Sequence, residues 1–139
     1  MKCYDIKELL PQRAPILMVD KLLEVEGDEA KTSFMVRPDN LFLDEEGRLE
    51  PAGLIEHIAQ SASAFAGYTA LTAGEAEPPV GYIGEVKDFR CHRHPQMGDE
   101  LRTTVRLGPE VAGVRLLFGR TSVGENVIAE TQMKIFIRS

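Results

Sequence analysis

Apolar and polar positions divide the chain into a strand-rich start, one long apolar helix and a strand-rich end. Asp5, with Glu8 three residues on, has the form of a capping box and predicts a short helix through Leu10, which Pro11 and Pro15 end. Ile16 to Glu26 is rich in Ile, Leu, Met and Val and runs into the turn pair Gly27-Asp28, so it reads as a strand. Ala30 to Val36 alternates, with Phe34 and Val36 on one face, and predicts a second strand paired back on the first. Arg37 to Glu50 is polar and carries turn signals at Pro38-Asp39-Asn40 and Asp44-Glu45-Glu46-Gly47. It is a loop longer than a simple connection needs, and such loops often carry function.

From Pro51 to Gly74 small and apolar residues lie on every side, between a proline suited to a helix start and a glycine suited to its end. Glu56 and His57 are its only ionisable groups besides the Tyr68 phenol. A helix apolar all round is a buried one. A membrane span is the competing reading, but Glu56, His57, Gln60, Ser61 and Ser63 fall within a couple of turns and weigh against it. Phe65 and Tyr68, at helical spacing, read as core. Beyond Pro78-Pro79, strands are predicted over Val80–Arg93, Glu100–Leu107, Gly113–Val123 and Val127–Ile137, with turns at Gly98-Asp99 and Gly124-Glu125-Asn126. Neither repeat nor linker interrupts the 139 residues, which predicts one domain over 1–139. One central helix buries all its faces only if the antiparallel sheet curls around it: an α+β hotdog fold.

Charge narrows the partners. The net charge is −6, so duplex nucleic acid, which needs its phosphates neutralised, is disfavoured. The distribution is uneven: residues 1–84 hold 7 basic and 15 acidic residues, residues 85–139 hold 9 and 7. Lys87, Arg90 and Arg93, with four further arginines, form a candidate basic patch for a nucleotide phosphate or an acidic carrier protein; solvated strand faces are the alternative. Two cysteines, Cys3 and Cys91, are too few for a disulfide scaffold. No basic start leads into an apolar stretch, so a cytoplasmic protein without a signal peptide is the expectation.

Glu56 is the leading chemical candidate. A carboxyl near the start of a buried helix is costly to keep charged, desolvation raising its pKa while the helix dipole opposes the shift. A group so poised suits general acid or base work. Peptide N–H groups near Gly53 are expected to lack intrahelical partners and to be able to polarise a carbonyl oxygen. His57 follows Glu56 directly, so the two side chains diverge by about 100° around the helix. His92 and His94 share a strand face, but no third ligand is evident and Cys91 points to the other face, so no metal is expected.

Four stretches carry a resemblance. LLPQRAPILMVDKLLEV, Leu9 to Val25, resembles the opening of 3-hydroxyacyl-acyl-carrier-protein dehydratases, which reads L-P-H-R-x-P-x-L-L-V-D. GLIEHIAQSAS, Gly53 to Ser63, resembles that family's helix, and Phe89-Arg90 with Gly98-Asp99 its later strand and turn. The run PDNLFLDEEGRLEPAGLIEHIAQ is similar to dehydratase-like proteins of aryl-polyene pigment clusters. The resemblance implies elimination of water from a 3-hydroxyacyl thioester held on phosphopantetheine, by an acyl carrier protein or coenzyme A, with no further cofactor. It implies a tunnel between two hotdog subunits. A loop histidine of one subunit removes the C2 proton, and an acid on the neighbour's helix protonates the departing hydroxyl. Glu56 matches that acid and Gln60 the family's glutamine. The histidine is missing: the loop from Pro38 to Glu50 has none, its expected position falling near Phe42 and Leu43, and Gln12 replaces the histidine of the opening motif. Asp44 is a stand-in base, or else a solvated loop carboxylate. The expectation is a homodimer, or a heterodimer in which this chain completes another subunit's site. A hotdog thioesterase is the third alternative.

Overall fold

The computed structural model describes residues 3–75 and 80–138. Pro78-Pro79, which sequence marks as the return to strand structure, lies outside them. Two helices, α1 (Ile6–Leu9) and α2 (Pro51–Thr72), accompany six strands: β1 (Lys21–Glu26), β2 (Glu29–Met35), β3 (Val80–Cys91), β4 (Glu100–Val111), β5 (Val114–Val123) and β6 (Asn126–Arg138). The strands form one antiparallel sheet in the order β1-β2-β4-β5-β6-β3. α2 lies against its inner face, as the hotdog reading requires. The turn glycines Gly27, Gly98 and Gly124 take positive φ, at 60°, 89° and 59°, a conformation only glycine adopts without strain.

Inward side chains of alternate strand positions meet α2. Ile58, Ala62 and Phe65 pack with Val105, Leu107, Leu117, Met133 and Ile135. Leu54 packs nearer the helix start with Met18, Phe34, Val36, Leu101 and Ile128. Helix and sheet approach closely because β5 has no side chain at Gly119: a Cβ there would lie 2.5 Å from Ile58 Cγ2. α1 opens with the expected capping box, Asp5 accepting from the Lys7 N–H and Glu8 reaching back to the Asp5 N–H. Its last carbonyls are met by Arg13, which donates to Leu10 O at 2.6 Å and Lys7 O at 3.0 Å.

Three sequence expectations need correction. The first strand begins at Lys21, not Ile16, because the backbone of Ile16 and Met18 is hydrogen-bonded by side chains of α2 and not by a neighbouring strand. β4 continues past Leu107 to Val111, the register shift between Leu107 and Glu110 absorbing Gly108-Pro109. α2 is also not buried all round. Ile55, Glu56, Ala59, Ser63 and Ala66 form a half-buried stripe along it.

Candidate active site

Glu56 sits on that open stripe, half-buried, where sequence placed it in a desolvated position. Its Oε1 accepts from Gln60 Nε2 at 2.9 Å, one helical turn on. Gln60 is 1% exposed and fully engaged. Its Oε1 accepts from the Met18 N–H at 2.7 Å, and its Nε2 also donates to Ile16 O at 3.0 Å. An N–H can only donate, so the Met18 contact settles which end of the amide faces Glu56. The carboxylate is therefore aimed by a locked amide. Among the described residues its Oε2 has no partner.

The buried ionisable group of α2 is the neighbour, His57, 0% exposed. Its Nδ1 lies 2.6 Å from Met18 O and its Nε2 2.7 Å from Thr103 Oγ1. Burial pushes its pKa down to about 4, against the raising effects of the Met18 hydrogen bond and the Asp20 charge. His57 is thus neutral at pH 7 and has no path to a substrate.

Gly53 does not present a free N–H. That group donates to Glu50 O at 2.9 Å, and the same carbonyl takes the Leu54 N–H at 3.3 Å, so α2 opens with a tight turn on Glu50. Gly53 is buried under the loop: a Cβ there would lie 2.7 Å from Phe42 Cβ and 2.8 Å from Leu49 Cδ1. The free N–H expected there is thus engaged, and the absence of a side chain lets loop and helix start pack closely. Asp44 does not suit a base either. Its carboxylate accepts from the N–H groups of Glu46 and Arg48 at 2.9 Å each and from Arg48 Nε at 3.2 Å. These contacts, the Arg48 backbone bond first, hold its pKa below the usual carboxylate value and make it a staple of the loop turn.

None of the three histidines stands in the loop. His57 is in the core, His92 faces Glu130 at 3.8 Å, and His94 Nδ1 lies 3.0 Å from Leu49 O. Phe42 and Leu43, at the expected histidine position, are half-buried against the core. No group of three His, Cys, Asp or Glu side chains among the described residues can hold a metal. No described helix is long and apolar enough to cross a membrane.

Lys87, Arg90 and Arg93 are exposed on β3 and just past its end. Arg90, paired with Asp88 at 3.3 Å, borders a trough of about 600 Å³ on the sheet, with Arg106, Arg120 and Phe118. None of Gly53, Glu56 and Gln60 lines it. Sequence reasoning missed the role of Met18 and Ile16, since backbone groups carry no residue-type signal.

A curved antiparallel sheet wrapped around one long helix is a hotdog fold. The chain belongs to the ApeP-like family, described as ApeP dehydratase, whose pattern it matches over residues 4–139. It is 34% identical over 132 residues to a 3-hydroxyacyl-acyl-carrier-protein dehydratase FabZ of Natranaerobius thermophilus, covering 93% of this chain and 92% of the relative. A FabZ of Syntrophotalea carbinolica is 30% identical over 139 residues, covering 96% and 92%. Among solved structures, a chain of the dehydratase heterocomplex ApeI:P from Xenorhabdus doucetiae superposes with a TM-score of 0.89 at 19% identity, covering 99% of this chain and 93% of that one. At that identity the likeness is one of fold.

Proposed function

We propose that this chain supplies the acid half of a dehydratase site acting on 3-hydroxyacyl thioesters carried on phosphopantetheine. The observation that carries the reading is the Glu56–Gln60 pair, a carboxyl on an open helix stripe aimed by an amide that cannot turn. Glu56 donates a proton through Oε2 to the departing C3 hydroxyl, which leaves as water. A base takes the C2 proton, its electron pair forms the C2–C3 double bond, and the thioester stays intact. This chain has no histidine placed to be that base. The base is therefore assigned to the loop histidine of a partner hotdog subunit, which makes the functional unit a heterodimer. That the Xenorhabdus chain comes from a dehydratase heterocomplex supports this pairing.

The sheet suggests where the partner sits. Of the two edge strands, β1 is short and carries Lys21, Glu24 and Glu26, which blunt it. β3 is twelve residues long and exposes Tyr82, Ile83 and Val86, beside an exposed Phe136 on β6. A long apolar edge of this kind favours strand pairing with another subunit. Lys87, Arg90 and Arg93 lie on and just past that edge, a position suited to the phosphate of the pantetheine arm of an acyl carrier protein. We place this chemistry in the cytoplasm.

The test is a mass-spectrometric assay on short 3-hydroxyacyl and enoyl thioesters of both carrier protein and coenzyme A. It is run on the chain alone, on a histidine-bearing hotdog partner alone, and on the complex. The proposal expects interconversion in the complex that disappears with Glu56→Gln in this chain. Full turnover by this chain alone overturns the half-site, and release of free thiol identifies a thioesterase instead.

A further inference from the structure

The hydrogen-bond directions around His57 follow from elementary chemistry. A carbonyl only accepts, so the 2.6 Å contact to Met18 O places the imidazole proton on Nδ1. In the neutral ring Nε2 then accepts, so the Thr103 hydroxyl donates to it, and Thr121, 2.7 Å from Thr103 Oγ1, donates in turn. The opposite flank is equally determined. Ser61 donates to His57 O at 2.8 Å, so Thr32, 2.7 Å away, donates to Ser61. Every buried polar atom of this cluster has a partner in a definite direction.

Met18, itself 0% exposed, is gripped at both of its backbone groups by α2. Its carbonyl is held by His57, and its N–H by Gln60, three residues further along the helix. The same Gln60 amide aims Glu56. An apolar side chain in place of His57 leaves the Met18 carbonyl buried without a donor. A buried carbonyl without a donor is costly enough to make the segment turn to find one. That turn withdraws the Met18 N–H from Gln60 Oε1, and the amide that orients Glu56 loses its lock.

We infer that His57 is a positioning residue for Glu56, acting through the backbone of Met18 and the side chain of Gln60. The inference rests on the reading of Glu56 as the site's acid, and its test has a readout that needs no turnover. In the complex with a histidine-bearing partner, the carboxyl carbon-13 shift of Glu56 is titrated in wild type, His57→Leu, His57→Asn and Thr103→Val, and kcat and KM are measured alongside. His57→Leu is expected to move the Glu56 carboxyl resonance and its titration curve off those of wild type. It is expected to lower kcat about tenfold with KM within about twofold, as for a misaimed group. His57→Asn, whose Nδ2 takes the place of the imidazole Nδ1 and donates to Met18 O, restores at least half of both effects. Thr103→Val keeps the Nδ1 bond, so it lowers stability and leaves the Glu56 titration where it was.

A Glu56 titration that superimposes on wild type in folded His57→Leu overturns the inference. So does a Thr103→Val shift as large as that of His57→Leu, since generic core damage then explains both. If His57→Leu fails to fold, His57→Met, which also offers Met18 no donor, replaces it beside His57→Asn under the same criteria. A complex that never dehydrates any substrate, while Glu56 still responds to His57, sinks the dehydratase reading and leaves the positioning intact.

Discussion

Gln60 and Glu56, one turn apart on α2, share a 2.9 Å hydrogen bond in which the amide has no freedom to turn, because its oxygen is committed to the Met18 N–H. Gln60→Leu keeps the volume but strands that N–H and the Ile16 carbonyl. The Met18 N–H, buried and without a partner, costs about 1–3 kcal/mol, while the Ile16 carbonyl, on a residue 44% exposed, can turn to water. A loss of about 1–3 kcal/mol is therefore expected in chemical denaturation. Gln60→Glu is expected to be as damaging, since it removes both donor bonds and sets a second carboxylate against Glu56.

Glu56→Gln separates chemistry from folding. The side chain lies on the half-buried stripe, so stability is expected to change by less than about 0.5 kcal/mol. Turnover of the complex is expected to fall by about 10²–10⁴, the usual worth of a positioned acid. Circular dichroism melts and the dehydration assay on the same preparation check both halves. A variant that melts much earlier would mark Glu56 as structural.

His57 gives stability a pH dependence of definite sign. Its folded pKa is about 4, below the 6.5 of the unfolded chain, so the unfolded state takes up the proton first as pH falls. Stability from this group is complete above about pH 6.5, declines on acidification towards about pH 4, and changes no further below that. The span corresponds to about 3 kcal/mol. Urea denaturation from pH 7 to pH 4 reads it as a falling midpoint, and His57→Gln, with no group titrating there, should flatten that part of the curve.

These same contacts explain what the sequence could and could not reveal. The capping box at Asp5 and Glu8, the turns at Gly27, Gly98 and Gly124, and the long helix were legible because each is set by neighbours within a few residues. The hotdog arrangement followed, since a long apolar helix among strands has few ways to bury itself. Ile16 to Asp20 misled because its apolar residues fit a strand, while the groups that capture its backbone lie about forty positions on. Gly53 was misjudged for a related reason. A free N–H was expected from helix geometry, but Glu50 O takes it, and Phe42 and Leu49 close over it. Glu56 drew notice as a carboxyl at the start of a buried helix and Gln60 through family resemblance, while the backbone of Ile16 and Met18 that holds the Gln60 amide carries no residue-type signal.

The glycines provide a packing test. Gly53→Ala forces Phe42 and Leu49 away from the helix start, and Gly119→Ala drives a methyl to 2.5 Å from Ile58, a branched side chain with little room to move. Each is expected to cost about 1–3 kcal/mol. Gly108→Ala is the control. Its nearest neighbour would be Leu116 O at 3.4 Å, ordinary contact, and its effect should stay within about 0.5 kcal/mol. Equal losses at all three sites would mean that strand or helix propensity, not close approach, sets the cost.

The edge of β3 makes the last prediction. Tyr82 is 53% exposed and Val86 37%, on a strand with no neighbour on its outer side in this chain. A lysine at each position adds charge where a partner strand would lie, and leaves the core of this chain untouched. A charge that must be desolvated without a partner is costly at an interface, while on a free edge it costs little. Tyr82→Lys with Val86→Lys is therefore expected to leave the melting temperature of the isolated chain nearly unchanged and to weaken association with a hotdog partner by at least about tenfold. Sedimentation velocity on mixtures reads the association directly. If pairing persists at wild-type strength, the partner sits elsewhere, and the blunted edge at β1 or the open stripe of α2 becomes the surface to mutate next.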